Sequence, residues 1–225
     1  MTPEAVLFDV GNTLLSVAED PHARALRGVA HLGRVSLEDY RRSLAQARTE
    51  WVEAGGTPEL EDLPDTWVRH ITRALELAQF TGDCRHAARL MEDSFLVDGW
   101  EVFPEADGVL RTIYARGIRM GVVSNWPASL ELTLEVAGIR KYFEVVVASG
   151  VVGYAKPRPE IYRYALERFA IEPHRALFVG DSIALDVQGP ASVGMPSVLL
   201  DRQQSFGDHP HTRVDSLRQL LEYLQ

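Results

Sequence analysis

The chain has 225 residues, 46% of them hydrophobic and 24% charged, with a formal net charge of −9. That length suits one sizeable core, or a core with a smaller second unit. The acidic balance argues against a nucleic-acid partner and offers no basic patch to an acidic membrane. No apolar run reaches the length of a membrane span, and no basic-then-apolar leader is visible. With the single Cys84, which fits a reducing compartment, these features give the expectation of a cytoplasmic protein.

Ala5 to Phe8 reads as a short strand buried on both faces of a parallel sheet. It ends in Asp9, followed by the turn-forming pair Gly11-Asn12, so Asp9 falls at a strand's carboxyl end, where open α/β sheets place their ligands. From Ser16 to Trp100 no strand is expected. Asp20-Pro21 opens a first helix through Ala25 and Val29, and Ser36-Leu37-Glu38-Asp39 opens a second that runs through Trp51 and stops at Gly55-Gly56. Asp65 is expected to cap a third, carrying Trp67, Ile71, Ala74, Leu75 and Ala78. Gly82-Asp83 precedes a fourth, through Leu90 and Phe95. Two helical hairpins make a small bundle.

From Gly117 the pattern alternates. Gly121 to Val123, Val145 to Val147, Ala176 to Val179 and Ser197 to Leu200 read as strands. Pro127 to Ala137, Pro159 to Phe169, Ile183 to Val193 and Ser216 to Leu224 read as helices, and Arg202 to Arg213 as a loose polar segment. Such alternation means an α/β fold, a doubly wound, Rossmann-like parallel sheet that also contains the first strand. The expected organisation is a core of residues 1–15 and 101–225, with an all-α bundle of residues 16–100 inserted as a cap.

Each strand end carries polar chemistry: Asp9, then Ser124-Asn125, then Lys156, one of only two lysines in the chain, then Gly180-Asp181-Ser182 with Asp186 beyond. Singly these are helix caps or solvated groups. Together they place a hydroxyl, a lysine and three carboxylates along one sheet edge. A carboxylate nucleophile can form a covalent ester and split one difficult step into two. Three acids beside one lysine call for a divalent cation, and an oxygen-only donor set suits Mg²⁺.

The set resembles the haloacid dehalogenase superfamily. The resemblance implies Asp9 as nucleophile, Thr13 as the loop threonine, Ser124 as the strand-end hydroxyl with Asn125 beside it, Lys156 as the lysine of the site, and Asp181 with Asp186 as the acidic motif. It also implies a Mg²⁺ site formed by Asp9, the carbonyl of Gly11 and Asp181, with Asp186 as an alternative or outer ligand. The bundle is similar to that superfamily's helical cap.

The departure is Gly11, where phosphatases of the superfamily carry an aspartate that acts as general acid and base. A positioned general acid contributes on the order of 10²–10⁴ in rate. Three functions therefore stand: a Mg²⁺-dependent phosphatase for a small phosphorylated substrate whose leaving group needs little protonation, a 2-haloacid dehalogenase, and a binding protein without turnover. Trp126, His22 near the cap hinge, and the cap arginines Arg24, Arg41 and Arg42 are further residues of interest.

Overall fold

A computed structural model describes residues 3–17, 19–56, 66–97, 99–206 and 210–224. Strand β1 (Ala5–Phe8) is followed by β2 (Leu15–Val17), by helices α1 (Pro21–Gly28), α2 (Leu37–Glu53), α3 (Thr66–Leu77) and α4 (Cys84–Val97), and by β3 (Trp100–Val102). The second half runs α5 (Ala106–Ala115), β4 (Arg119–Ser124), α6 (Leu130–Val136), β5 (Val145–Ala148), α7 (Ser149–Val152) and α8 (Pro159–Phe169). It continues with β6 (Ala176–Gly180), α9 (Gly189–Ala191), β7 (Ser197–Leu200), β8 (Arg213–Val214) and α10 (Leu217–Tyr223).

All four residues of β1 are fully buried, because both faces of the strand are covered. Side chains alternate along a strand. Val6 and Phe8 therefore join one core with Leu110 of α5, Leu134 of α6 and Leu217 of α10. Ala5 and Leu7 join the other, with Ile161, Ala165 and Phe169 of α8. Truncating Leu7 to Ala would cost roughly 2–5 kcal/mol, as for other fully buried leucines.

The sheet has the order β5-β4-β1-β6-β7-β8 and is parallel throughout. Phe8 lies in register with Val122 of β4 on one side and Val179 of β6 on the other. The chain winds outward from β1 through β4 and β5, then returns to continue on the opposite side through β6. The reversal of strand order therefore falls at β1, which puts Asp9 in the crevice where such sheets bind ligands.

Between β2 and β3 the helices bury their own apolar cluster, including Val29, Tyr40, Ile71, Leu75, Ala87, Ala88 and Met91. Their boundaries follow local chemistry. Asp20 accepts from the amides of His22 and Ala23, and Ser36 from that of Asp39. Gly55 ends α2 at φ +91°, and Gln79 follows α3 at φ +56°. Asp83 accepts from the amide of His86 at the start of α4. Asp65, expected to cap α3, lies outside the described residues, as do Thr57 to Pro64 and His209. Among the described residues no helix is long and apolar enough to cross a membrane.

Four features differ from expectation. Leu15–Val17 and Trp100–Val102 form an antiparallel ribbon, with Val17 opposite Trp100, at the two ends of the helical insertion. Each strand has three residues and its partner lies far along the chain, so no local periodicity announces it. Helix α5 was not expected, although Ala106, Val109, Leu110 and Ile113 are buried at helical spacing. Helix α6 starts at Leu130 rather than Pro127, because residues 127–130 form a turn in which Leu130 donates to the Pro127 carbonyl. The described part of the segment after β7 makes specific contacts with the core. Asp201 is buried and accepts from the amides of Ser205 and Phe206, and Arg213–Val214 adds a sixth strand.

Candidate active site

β1 delivers Asp9 to the sheet edge, and the Asp9 amide extends the ladder by donating to the Val179 carbonyl at 2.9 Å. The chain then turns sharply. Asn12 adopts a left-handed conformation, φ +55°, which Asn tolerates better than most residues. Leu14 and Leu15 both donate back to the Val10 carbonyl at 2.9 Å. The turn brings Thr13 above the strand end, where its hydroxyl donates to Asp9 Oδ2 at 3.3 Å.

The neighbouring strand ends converge on the same carboxylate. Ser124, last residue of β4, donates to Asp9 Oδ1 at 3.1 Å. Lys156, 3% exposed, donates from Nζ to Asp9 Oδ1 at 2.7 Å and to Asp186 Oδ1 at 2.6 Å. Asn125 does not point at this centre. Its side chain grips the Lys156 backbone, accepting from the amide at 2.7 Å and donating to the carbonyl at 3.0 Å. It is thus a positioning group for the lysine.

After β6, Ser182 caps the next turn, accepting from the Leu185 amide, and the chain makes one π-helical stretch, Ile183–Gln188. That stretch folds Asp186 back over Gly180, where its Oδ2 accepts from the Ser182 amide at 2.9 Å. Gly180 is needed for this approach, since a Cβ there would lie 2.3 Å from Asp186 Cγ. Asp9, Asp181 and Asp186 each offer an oxygen, and the three oxygens lie within 4.8 Å of one another.

Three carboxylates against one ammonium leave excess negative charge in a mostly buried site. Burial, then the charges of Asp9 and Asp186, push Asp181 up to about 6. Burial also raises Asp186, with the nearby Lys156 working against it. Burial opposes the charged form of Lys156, but Asp186 and Asp9 outweigh it, so the lysine stays a cation with its pKa above the usual value. The donor set is all oxygen and partly uncompensated, which fits a hard divalent cation. Asp186 is 1% exposed, whereas Asp9 is 7% exposed and Asp181 half-buried, so Asp9 and Asp181 are the more accessible pair, with Asp186 behind them.

Trp126 follows Ser124-Asn125 and is 6% exposed, its ring 4.7 Å from that of the half-buried Trp100. A Cβ on Gly11 would meet Trp126 Cζ3 at 3.7 Å and Trp100 Cη2 at 3.9 Å. The side of Gly11 where other residues carry a side chain is therefore faced by two indoles. His22 is half-buried against Tyr40, and burial lowers its pKa. Arg41 pairs with Asp20, and Arg42 with Glu38 and Asp39, whereas Arg24 packs against Gly99.

Arg202 was not foreseen as part of the site's support. It donates to the carbonyls of Asn12 (3.3 Å) and Thr13 (2.9 Å), pairs with Glu105 and stacks on Phe103 at 3.7 Å. No local signal reveals such a contact across 189 residues.

This is a parallel α/β fold whose switch-point crevice presents a buried carboxylate, held by a lysine and two hydroxyls and flanked by further acids. A family model for haloacid dehalogenase-like hydrolases matches residues 3–194, and the chain belongs to that family. Over 96% of this chain and 96% of the other, it is 30% identical to a phosphoserine phosphatase of Thermus thermophilus. It is 41% identical to the mouse haloacid dehalogenase-like hydrolase domain-containing protein 3 over 51% of this chain, a match spanning only 45% of the mouse protein. A crystal structure of a 2-haloacid dehalogenase from Pseudomonas syringae superposes over 100% of this chain and 98% of its own, with a TM-score of 0.75 at 25% identity.

Proposed function

We propose that the protein is a Mg²⁺-dependent phosphohydrolase acting on a small phosphorylated molecule through a phosphoryl group carried on Asp9. The observation that carries this reading is Asp181 beside Asp9 and Asp186, an acidic cluster that one lysine does not neutralise. The phosphoserine phosphatase that matches nearly the whole chain supports it. Asp9, the Gly11 carbonyl and Asp181 would hold the ion, which supplies positive charge against the phosphoryl oxygens.

The remaining work falls to the chain. The Asp9 carboxylate attacks phosphorus while the bond to the leaving oxygen breaks, and that oxygen departs with the electron pair. Water then attacks phosphorus while the bond to Asp9 breaks with its electron pair on the carboxylate, and the water's protons leave with the phosphate product. Lys156, held by Asn125 and Asp186, offsets charge on Asp9 and on the transferring group, and Ser124 and Thr13 donate hydrogen bonds there. Gly11 supplies no acid, so the favoured substrates have leaving groups that depart with little protonation. The helical segment between the β2 and β3 ribbon strands would serve as the cap, since its two ends meet beside the Gly11–Leu15 turn.

A second reading, hydrolysis of a 2-haloacid, is favoured by Gly11, because halide leaves without a proton, and by the likeness to the Pseudomonas dehalogenase. Purified protein assayed on phosphomonoesters and 2-haloacids, with and without Mg²⁺, separates the two. Mg²⁺-dependent phosphate release is expected. Halide release independent of Mg²⁺ would establish the second reading, and no turnover of either class would contradict both.

A further inference from the structure

Asp9 and Gly11 sit on one turn, and the two indoles that face Gly11 come from different elements of the chain. Trp126 arrives on the loop two residues after Ser124, which itself donates to Asp9. Trp100 arrives on β3, the strand that ends the helical insertion. Alternation puts Trp100 and Val102 on one face of that strand, and both pack against the main core. Trp126 is fixed from behind: its amide donates to Ser149 Oγ at 3.1 Å, and its carbonyl accepts from the Gly150 amide at 3.0 Å. Trp126 is 6% exposed, and Trp100 is the more exposed of the two rings.

We infer that this indole pair is a specificity wall for a planar aromatic leaving group, so that the substrates are aryl phosphates. The inference rests on the phosphohydrolase reading and names its substrate class. Where a side chain at Gly11 would supply a proton, the chain offers two aromatic rings at van der Waals distance instead. Such a wall gives no help to an alkoxide, which needs protonation. It does favour a flat ring by offset or edge-to-face packing, and a phenoxide is stable enough to leave unprotonated. The two features at Gly11, no acid and an aromatic wall, thus select the same class of molecule.

The test uses phenylphosphonate and methylphosphonate, whose C–P bonds resist hydrolysis, as competitive inhibitors and calorimetric ligands in saturating Mg²⁺. Wild type should bind phenylphosphonate about tenfold more tightly. Trp100→Leu should abolish that preference while leaving methylphosphonate affinity unchanged, and Trp100→Phe should retain most of it. Equal affinity of wild type for the two phosphonates would overturn the wall, as would a preference that survives in a folded Trp100→Leu. Both results are compatible with phosphatase turnover. The phosphohydrolase reading itself would fall if no phosphomonoester released phosphate.

Discussion

Gly11→Asp places a carboxyl group where the structure has two indoles. A Cβ at this position makes ordinary contacts, 3.7 Å to Trp126 and 3.9 Å to Trp100, so the backbone need not move. The carboxyl beyond it would lie against apolar rings and near Asp9, and both desolvation and like charge would raise its pKa. A carboxyl kept protonated near neutral pH can donate to a departing alkoxide. A well-placed general acid is worth about 10²–10⁴ in rate. The indole contacts restrict its orientation, so a gain of roughly 10–100-fold on alkyl phosphates is expected, or about 1.4–2.7 kcal/mol in barrier height. Aryl phosphates should gain little, because their leaving group needs little proton transfer. The assay is kcat/KM across a series of leaving groups for wild type, Gly11→Asp and Gly11→Asn, which adds similar bulk without an acid. Wild type and Gly11→Asn should depend steeply on the leaving group, and Gly11→Asp less so. Equal dependence in wild type and Gly11→Asp would show that the proton comes from elsewhere and refute this account of Gly11.

Asp181→Asn should abolish Mg²⁺ binding measured by calorimetry, yet stabilise the metal-free protein. The folded-state value of Asp181, about 6, lies above the usual 3.8, so its contribution to stability is present below about pH 4 and lost as pH rises through 6. The full shift corresponds to about 3 kcal/mol; screening at this part-exposed site reduces that to about 1. Melting in chelator should show the variant ahead at pH 8 and level at pH 4, and a variant less stable at pH 8 would contradict this. Lys156→Met leaves Asp9 and Asp186 buried without their cation, and should cost roughly 3–5 kcal/mol in denaturant unfolding at neutral pH. An unchanged midpoint would count against the charge balance described. Arg202→Gln should speed hydrogen exchange at the Leu14 and Leu15 amides and cost roughly 1–2 kcal/mol, by releasing the Asn12 and Thr13 carbonyls. Unaltered exchange there would show that Arg202 does not hold the turn.

The core was legible because buried parallel strands leave a strong mark. Ala5–Phe8 and Ala176–Gly180 are apolar runs that stop at a polar residue, and each stop is a member of the acidic cluster. The gathering of Asp9, Ser124, Lys156, Asp181 and Asp186 followed from the rule that parallel strands present their carboxyl ends together. Several finer assignments could not be read in this way. Asn125 was grouped with the groups at the centre, whereas it pins the Lys156 backbone, a distinction only three-dimensional geometry can make. Helix α5 carried a readable period that the long insertion before it obscured. The β2–β3 ribbon, the Arg202 tether and the pairing of Trp100 with Trp126 join residues far apart in the chain, and nothing local encodes such contacts.

The central claim is that Asp9 carries the phosphoryl group in a Mg²⁺-dependent reaction. Its most direct test is to mix the protein with an aryl phosphate and Mg²⁺, quench in acid, and map the modification by peptide mass spectrometry. The account predicts one phosphoryl group on Asp9, absent when Mg²⁺ is chelated and absent in Asp9→Asn. Phosphate released with Asp9 unmodified at every time point, or a phosphoryl group on another residue, would contradict it.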